Sequence, residues 1–314
     1  MGGSNEGRES GKDRFYRSHL IPPNHFYIWR NPFNFNSFRQ IQTKNHENTP
    51  LYRSASGIPH YLREIEAGKS ATQNIDEICF SKNGLLNTEF SRLFPALFKN
   101  AERHIAVIRA LAGKRQGLAR NEIISMAQLS EGGSVKRILE ELSHSGFITA
   151  YYSFGKKKKN LLYRLTDEYA LFYLQFIEGN MYRETEIWQK LSQTQNYRSW
   201  SGYAFENICL KHTQQIKRAL SIGGVYSESA SFYKKGTSLQ KGVQIDLLID
   251  RNDHVINIFE IKFNNTPFVL TKAHAQNLRE KLAIFKAVTQ TPKQLFLTLI
   301  TTFGLMPNEH RVVY

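Results

Sequence analysis

The chain has only two cysteines, Cys79 and Cys209, which excludes a disulfide framework and, by themselves, a zinc site. Both lie in apolar helical contexts and are expected to be buried free thiols. No stretch approaches ~18 consecutive apolar residues, and the polar N-terminus has no apolar secretory core. The expectation is therefore a cytoplasmic protein with no membrane partner. Acidic residues are also few, 27 against 42 lysines and arginines, leaving a formal charge of +15. An excess of that size favours a polyanionic partner, here nucleic acid. No internal repeat is visible.

What remains is ample for folding: 314 residues, 41% apolar and 22% charged, enough for two or three units at ~100–200 residues each. Residues 1–50 are Gly/Ser- and then Asn-rich with scattered aromatics, and read as a weakly ordered leader. From Gly57 the pattern turns helical. "GIPHYLREIEAG" spaces Ile58, Tyr61, Leu62 and Ile65 on one face, and "SATQNIDEICF" opens with a Ser/Thr cap. "NTEFSRLFPALF" adds a third short amphipathic helix. Residues 51–100 are too small to stand as an independent domain.

Residues 101–176 follow another plan. Helices are predicted across "AERHIAVIRALAG", "ARNEIISMAQLS" and "SVKRILEELSHSG". Two strand-like runs, "FITAYYSF" and "NLLYRLTD", then flank "GKKKK". Three helices and a basic hairpin in that order describe a winged helix-turn-helix. Lys136 and Arg137 on the third helix and Lys156, Lys157, Lys158 and Lys159 at the wing tip are the candidate nucleic-acid contacts. A linker helix over 177–196 leads to a final α/β unit, 197–314, reading helix, three strands, helix, strand.

Chemistry concentrates in "QIDLLIDRNDHVINIFEIKF". Alternation puts Ile245, Leu247 and Ile249 on one face with Asp246 opposite, and sets Glu260 and Lys262 together on the next strand. "DRND" supplies turn residues, so a hairpin would bring Asp246 near Glu260. Carboxylates and a lysine inside apolar strands are costly unless paired or liganded. Hard oxygen donors suit Mg²⁺ or Mn²⁺, which activates water and polarises a phosphoryl oxygen. Glu206, in "GYAFENICL", adds a helical carboxylate.

The order Glu206, Asp246, Glu260-x-Lys262 resembles the PD-(D/E)xK nuclease superfamily. The resemblance implies a catalytic set of Asp246, Glu260, Lys262 and Glu206, with Asp246, Glu260 and Glu206 holding the metal. A wider resemblance runs from about Leu51 to Tyr314. "GIPHYL", "NIDEICF", "LFPALF", "LYRLTDEYALFYLQFI", "GYAFENICLKH" and "LITTFGL" are similar to the C-terminal half of a prokaryotic AAA-like ATPase family. That half carries lid helices, a winged helix and a restriction-endonuclease-like domain. The family's P-loop is missing. "EIEAGKSA" has Arg63 where the first glycine belongs and no apolar strand before it, so it reads as a helix end and no ATP binding is expected.

The expected fold is thus multidomain α+β: a helical lid fragment, a winged helix-turn-helix and a C-terminal α/β restriction-endonuclease-like domain. The expected activity is metal-dependent hydrolysis of DNA. The alternatives are a catalytically silent DNA-binding or regulatory module, or a remnant of an ATP-binding ATPase that has lost its nucleotide site. Implied partners are DNA and either a separate ATPase or a second copy of the chain.

Overall fold

The computed structural model describes residues 26–30 (backbone), 59–155, 161–180, 186–238 and 241–308. It is a mixed α+β structure with two sheets. After strand β1 (Phe26–Arg30) come the short helix α1 (Pro59–Leu62), α2 (Ala71–Ile75) and α3 (Leu85–Leu97). Ser70 caps α2 reciprocally: its hydroxyl accepts from the Gln73 amide, and the Gln73 side chain accepts from the Ser70 amide. Lys69 is held by Glu66 and Glu77. After α2 the chain widens into a π-helical turn over Asp76–Phe80.

Next come α4 (Ala101–Ala112), β2 (Leu118–Ala119), α5 (Arg120–Met126), α6 (Gly133–His144), β3 (Ile148–Tyr152) and β4 (Leu161–Leu165). The strands form an antiparallel sheet in the order β2-β4-β3. The apolar face of α6, Val135, Ile138, Leu139 and Leu142, is buried at helical spacing. α7 (Glu168–Phe172) runs into a second π-helical turn, Tyr173–Ile177, and α8 (Ile187–Leu191) follows.

One continuous core runs from Tyr61 to Ala204. Phe80, Phe172, Phe176, Trp188 and Trp200 form an aromatic cluster within it, with ring centroids 5.0–6.3 Å apart. Residues 59–98 therefore pack into the same core as the helices and hairpin that follow. Each of these fully buried side chains contributes about 1.5–3 kcal/mol, so separating the segments would expose a large cost.

The rest of the chain builds a five-stranded sheet in the order β1-β8-β7-β6-β5. Its strands are β5 (Ser227–Lys234), β6 (Val243–Arg251), β7 (Val255–Lys262) and β8 (Gln294–Thr301), with β1 at one edge. β5, β6 and β7 are antiparallel neighbours. β8 lies parallel to β7, which requires a crossover, supplied by α11 (Lys272–Thr289). Helices α9 (Gln195–Lys211) and α10 (Thr213–Ala219) cover one face, and α11 covers the other. β1 lies parallel to β8, from Phe26↔Leu297 to Arg30↔Thr301. Within the expected leader, the backbone of residues 26–30 completes a sheet edge.

The two sheets meet directly. Ser153 bridges to Ser231 of β5, the Phe154 amide donates to the Ser231 carbonyl at 2.7 Å, and Phe154 packs on Phe285 of α11. Among the described residues no helix is long and apolar enough to cross a membrane.

Candidate catalytic site

The β6–β7 hairpin turns at Arg251–His254. His254 takes a left-handed backbone, and Arg251 is held by Asp253. Along β7 the alternation is regular. Phe259 and Ile261 enter the core under α9 and α10, while Ile256 and Ile258 pack toward α11. Glu260 and Lys262 therefore emerge on the α11 side. One Glu260 oxygen meets Lys262 Nζ at 2.8 Å, and the other accepts from Lys281 Nζ of α11 at 2.6 Å. Burial pushes the Glu260 carboxyl up, but Lys281 and Lys262 outweigh it and hold it below the usual carboxylate range. Burial opposes the charge on Lys262, yet Glu260, and then Glu206 and Asp246, leave its pKa raised.

Asp246 stands at an irregularity. Between the pairs Phe232↔Ile245 and Ala230↔Leu248, β6 has two residues, Asp246 and Leu247, where β5 has only Ser231. This is a β-bulge, a device that re-aims side chains. The packing records the slip. Ile245 joins the core under α11, whereas Leu247 and Ile249 join the core under α9. The expected simple alternation, with Ile245, Leu247 and Ile249 on one face and Asp246 opposite, is thus corrected at Asp246. The β6–β7 pairing also ends at Leu247↔Phe259, one step short of an Asp246–Glu260 pair. Asp246 instead accepts from Gln244 Nε2 at 2.7 Å, and Gln244 Oε1 accepts from Gln116 Nε2 at 2.6 Å. Gln116 belongs to the loop between α4 and β2.

Glu206 lies on α9, whose first turn is capped by Thr194. Tyr203, Glu206, Asn207 and Lys211 share one stripe of this helix and reach back to β4 and α7. Buried Arg164 of β4 donates to Tyr203 Oη at 3.1 Å and to Glu206 Oε2 at 3.3 Å. Its guanidinium lies 4.4 Å from the Tyr203 ring centroid. Burial and the negative field of Asp246 push the Glu206 carboxyl up to about 7, against partial relief from Arg164 and Lys262.

Of the four candidates, Glu260 and Lys262 are in direct contact, Asp246 lies close enough to raise the Glu206 carboxyl, and both act on Lys262. Among the described residues, no three His, Cys, Asp or Glu side chains gather into a metal cage. Three residues escaped the sequence reading. Gln244 and Lys281 left no local signal, because an exposed glutamine at a strand end and a helical lysine are ordinary. Arg164 left one, a charge inside the apolar run "LLYRL".

On α6, both candidate contacts are already paired: Lys136 with Glu140 at 3.6 Å and Arg137 with Glu141 at 2.7 Å. Lys156, Lys157, Lys158 and Lys159 lie outside the described residues. No family model, curated protein or solved structure matches the chain.

Proposed function

We propose that the chain is a DNA-binding, metal-dependent phosphodiesterase, in which a winged helix-turn-helix delivers DNA to a restriction-endonuclease-like PD-(D/E)xK centre. The observation that carries this reading is the convergence of like charges around one lysine. Asp246 raises Glu206, and Lys262 feels both in addition to its partner Glu260. Groups perturbed together by burial and a specific neighbour are a mark of functional sites. The order α4-β2-α5-α6-β3-β4, with the hairpin strands closing on β2, supports the winged-helix part of this reading.

The donor set fits Mg²⁺ or Mn²⁺ by chemistry rather than as a preformed cage. Glu206, Asp246 and Glu260 offer hard oxygens. The repulsion that lifts Glu206 to about 7 is one that a divalent cation would relieve. When bound, such an ion would lower the pKa of water and neutralise charge on the phosphoryl group. Lys262 sits at the end of β7, 43% exposed, and can place its ammonium on a phosphate oxygen as negative charge builds there. Arg164 and Gln244 hold Glu206 and Asp246 in place.

A second reading, a catalytically silent DNA-binding module, draws on one observation: both Glu260 oxygens are already engaged by lysines. The experiment that separates the two is cleavage of duplex, single-stranded and branched DNA with Mg²⁺ or Mn²⁺. Cleavage that stops with chelator supports the phosphodiesterase. Wild-type protein that never cuts any of them leaves the silent module. The same proposal takes residues 51–100 as the lid helices of an AAA-like ATPase relative, with a separate ATPase or a second copy of the chain as partner.

A further inference from the structure

Between the start of β6, the end of β7 and α11 lies a cavity of about 320 Å³. That is the lower end of the range for small-ligand sites. Its two ends differ in chemistry. Phe268, Leu278, Ile284 and Leu299 form an apolar floor, and Lys241, Lys262 and Lys281 stand at its rim. The carboxylates in the lining are Glu260 and Glu280. Glu260 is shared by Lys262 and Lys281, and Lys241 reaches Asn277 at 2.6 Å and Glu280 at 3.4 Å. Three ammonium groups against two carboxylates leave one positive charge, with His274 beside them.

A single phosphodiester carries one negative charge, and its attached base is a flat, largely apolar ring. We propose that this cavity binds one unpaired nucleotide of a DNA strand, with its base on the Phe268–Ile284 floor and its phosphate on the cationic rim, against the ammonium donors of Lys262 and Lys281 that do not face Glu260. A base held in a regular duplex is stacked on both faces and paired along one edge, and cannot enter the cavity without being extruded. The preferred substrate is therefore single-stranded, frayed or branched DNA rather than uninterrupted duplex. This inference rests on the phosphodiesterase reading for where the scissile phosphate sits, but the binding is measurable without cleavage. Lys281 is the residue it adds. Lys281 adds its ammonium to that rim from α11 rather than from the sheet.

The test uses the full chain with chelator present. A single-stranded oligonucleotide carrying 2-aminopurine, and the same oligonucleotide in duplex, are titrated with wild type, Ile284→Trp and Lys281→Met. Ile284→Trp fills the apolar floor, and Lys281→Met removes one ammonium while leaving the Glu260–Lys262 pair. Loss of one charge-assisted contact predicts single-strand binding weakened about tenfold in Lys281→Met, and blocking the floor predicts a similar loss in Ile284→Trp, with duplex binding changed far less in both. Thymidine 5′-monophosphate should compete with the single strand on wild type and not on Ile284→Trp. Equal single-strand binding by wild type and both variants overturns the proposal, as does an equal loss on duplex. If Ile284→Trp fails to fold, Lys281→Met and the competition on wild type decide it. Wild type that cuts DNA while the variants bind single strands normally removes the cavity and leaves the phosphodiesterase. The reverse pattern, variants defective in binding and wild type that never cuts, leaves the cavity and removes the phosphodiesterase.

Discussion

Glu260 and Glu206 are both carboxylates set in largely apolar surroundings, 13% and 25% exposed, yet their acidities move in opposite directions. Glu260 has an ammonium group on each oxygen and is held anionic. Glu206 has one guanidinium at 3.3 Å and the anion Asp246 nearby, and its carboxyl is lifted to about 7. Burial alone therefore does not decide a carboxylate's charge; the sign and number of its neighbours do. The two halves also have different owners. Glu260 is held from within its own sheet-and-helix unit. Glu206 and Asp246 are held across the junction, by Arg164 of β4 and by the Gln116–Gln244 relay.

The largest expected effect strikes both halves alike. Asp246→Ala and Glu260→Ala should each remove metal-dependent cleavage while leaving DNA binding nearly unchanged, as read by gel cleavage beside a binding titration. Loss of binding in step with loss of cleavage would make these residues structural.

Next comes the junction. Arg164→Ala leaves Glu206 beside Asp246 without its guanidinium and should destabilise the chain in denaturant unfolding, increasingly as pH rises and Glu206 must ionise there. Adding Glu206→Gln should restore much of that loss, because the stranded negative charge is gone. Additive losses would show that Arg164 acts through packing on Tyr203 instead.

The raised Glu206 carboxyl has a pH signature of definite sign. Folding favours its protonated form, so the group imposes no penalty below the ordinary value of 4.5. The penalty grows as pH rises and is complete above about 7. Glu206→Gln lacks it. The stability of the variant relative to wild type should therefore climb between pH 4.5 and 7, by at most about 3 kcal/mol, and then level off. A difference that is flat across that window contradicts the assigned environment.

The smallest effects fall on DNA affinity. Replacing Lys156, Lys157, Lys158 and Lys159 by alanine should lower the log–log salt slope by up to ~3.6, using ~0.9 per phosphate contact. Lys136→Ala and Arg137→Ala should each change it by less than ~0.9, since both cations are already paired with glutamates. Equal per-residue slopes would mean that those ion pairs open when DNA binds.

How much of this was legible in the sequence divides along the range of the interactions. The alternation of β7 and the helical run of α11 are local, and they lead to Glu260 and Lys262 sharing a face. The bulge at Asp246 is silent, because Ile245, Leu247, Leu248 and Ile249 are all apolar and a one-residue slip exchanges one for another. Arg164 meets Glu206 across 42 positions and Lys281 meets Glu260 across 21, distances at which no spacing rule operates. β1 is an extreme case: five residues in an Asn-rich context whose partner strand, β8, comes last along the chain.

The central claim is that the charges gathered around Lys262 serve phosphodiester hydrolysis. Its most direct test is cleavage of duplex, single-stranded and branched DNA by wild type and Lys262→Ala, titrated with Mn²⁺ and paired with calorimetric Mn²⁺ binding. The account predicts that wild type cuts and stops with chelator, and that Lys262→Ala binds Mn²⁺ comparably but loses most of the rate, because its ammonium acts mainly as the transition state forms. Lys262→Ala cutting at the wild-type rate, or a wild type that binds Mn²⁺ and cuts none of the three substrates, would contradict it.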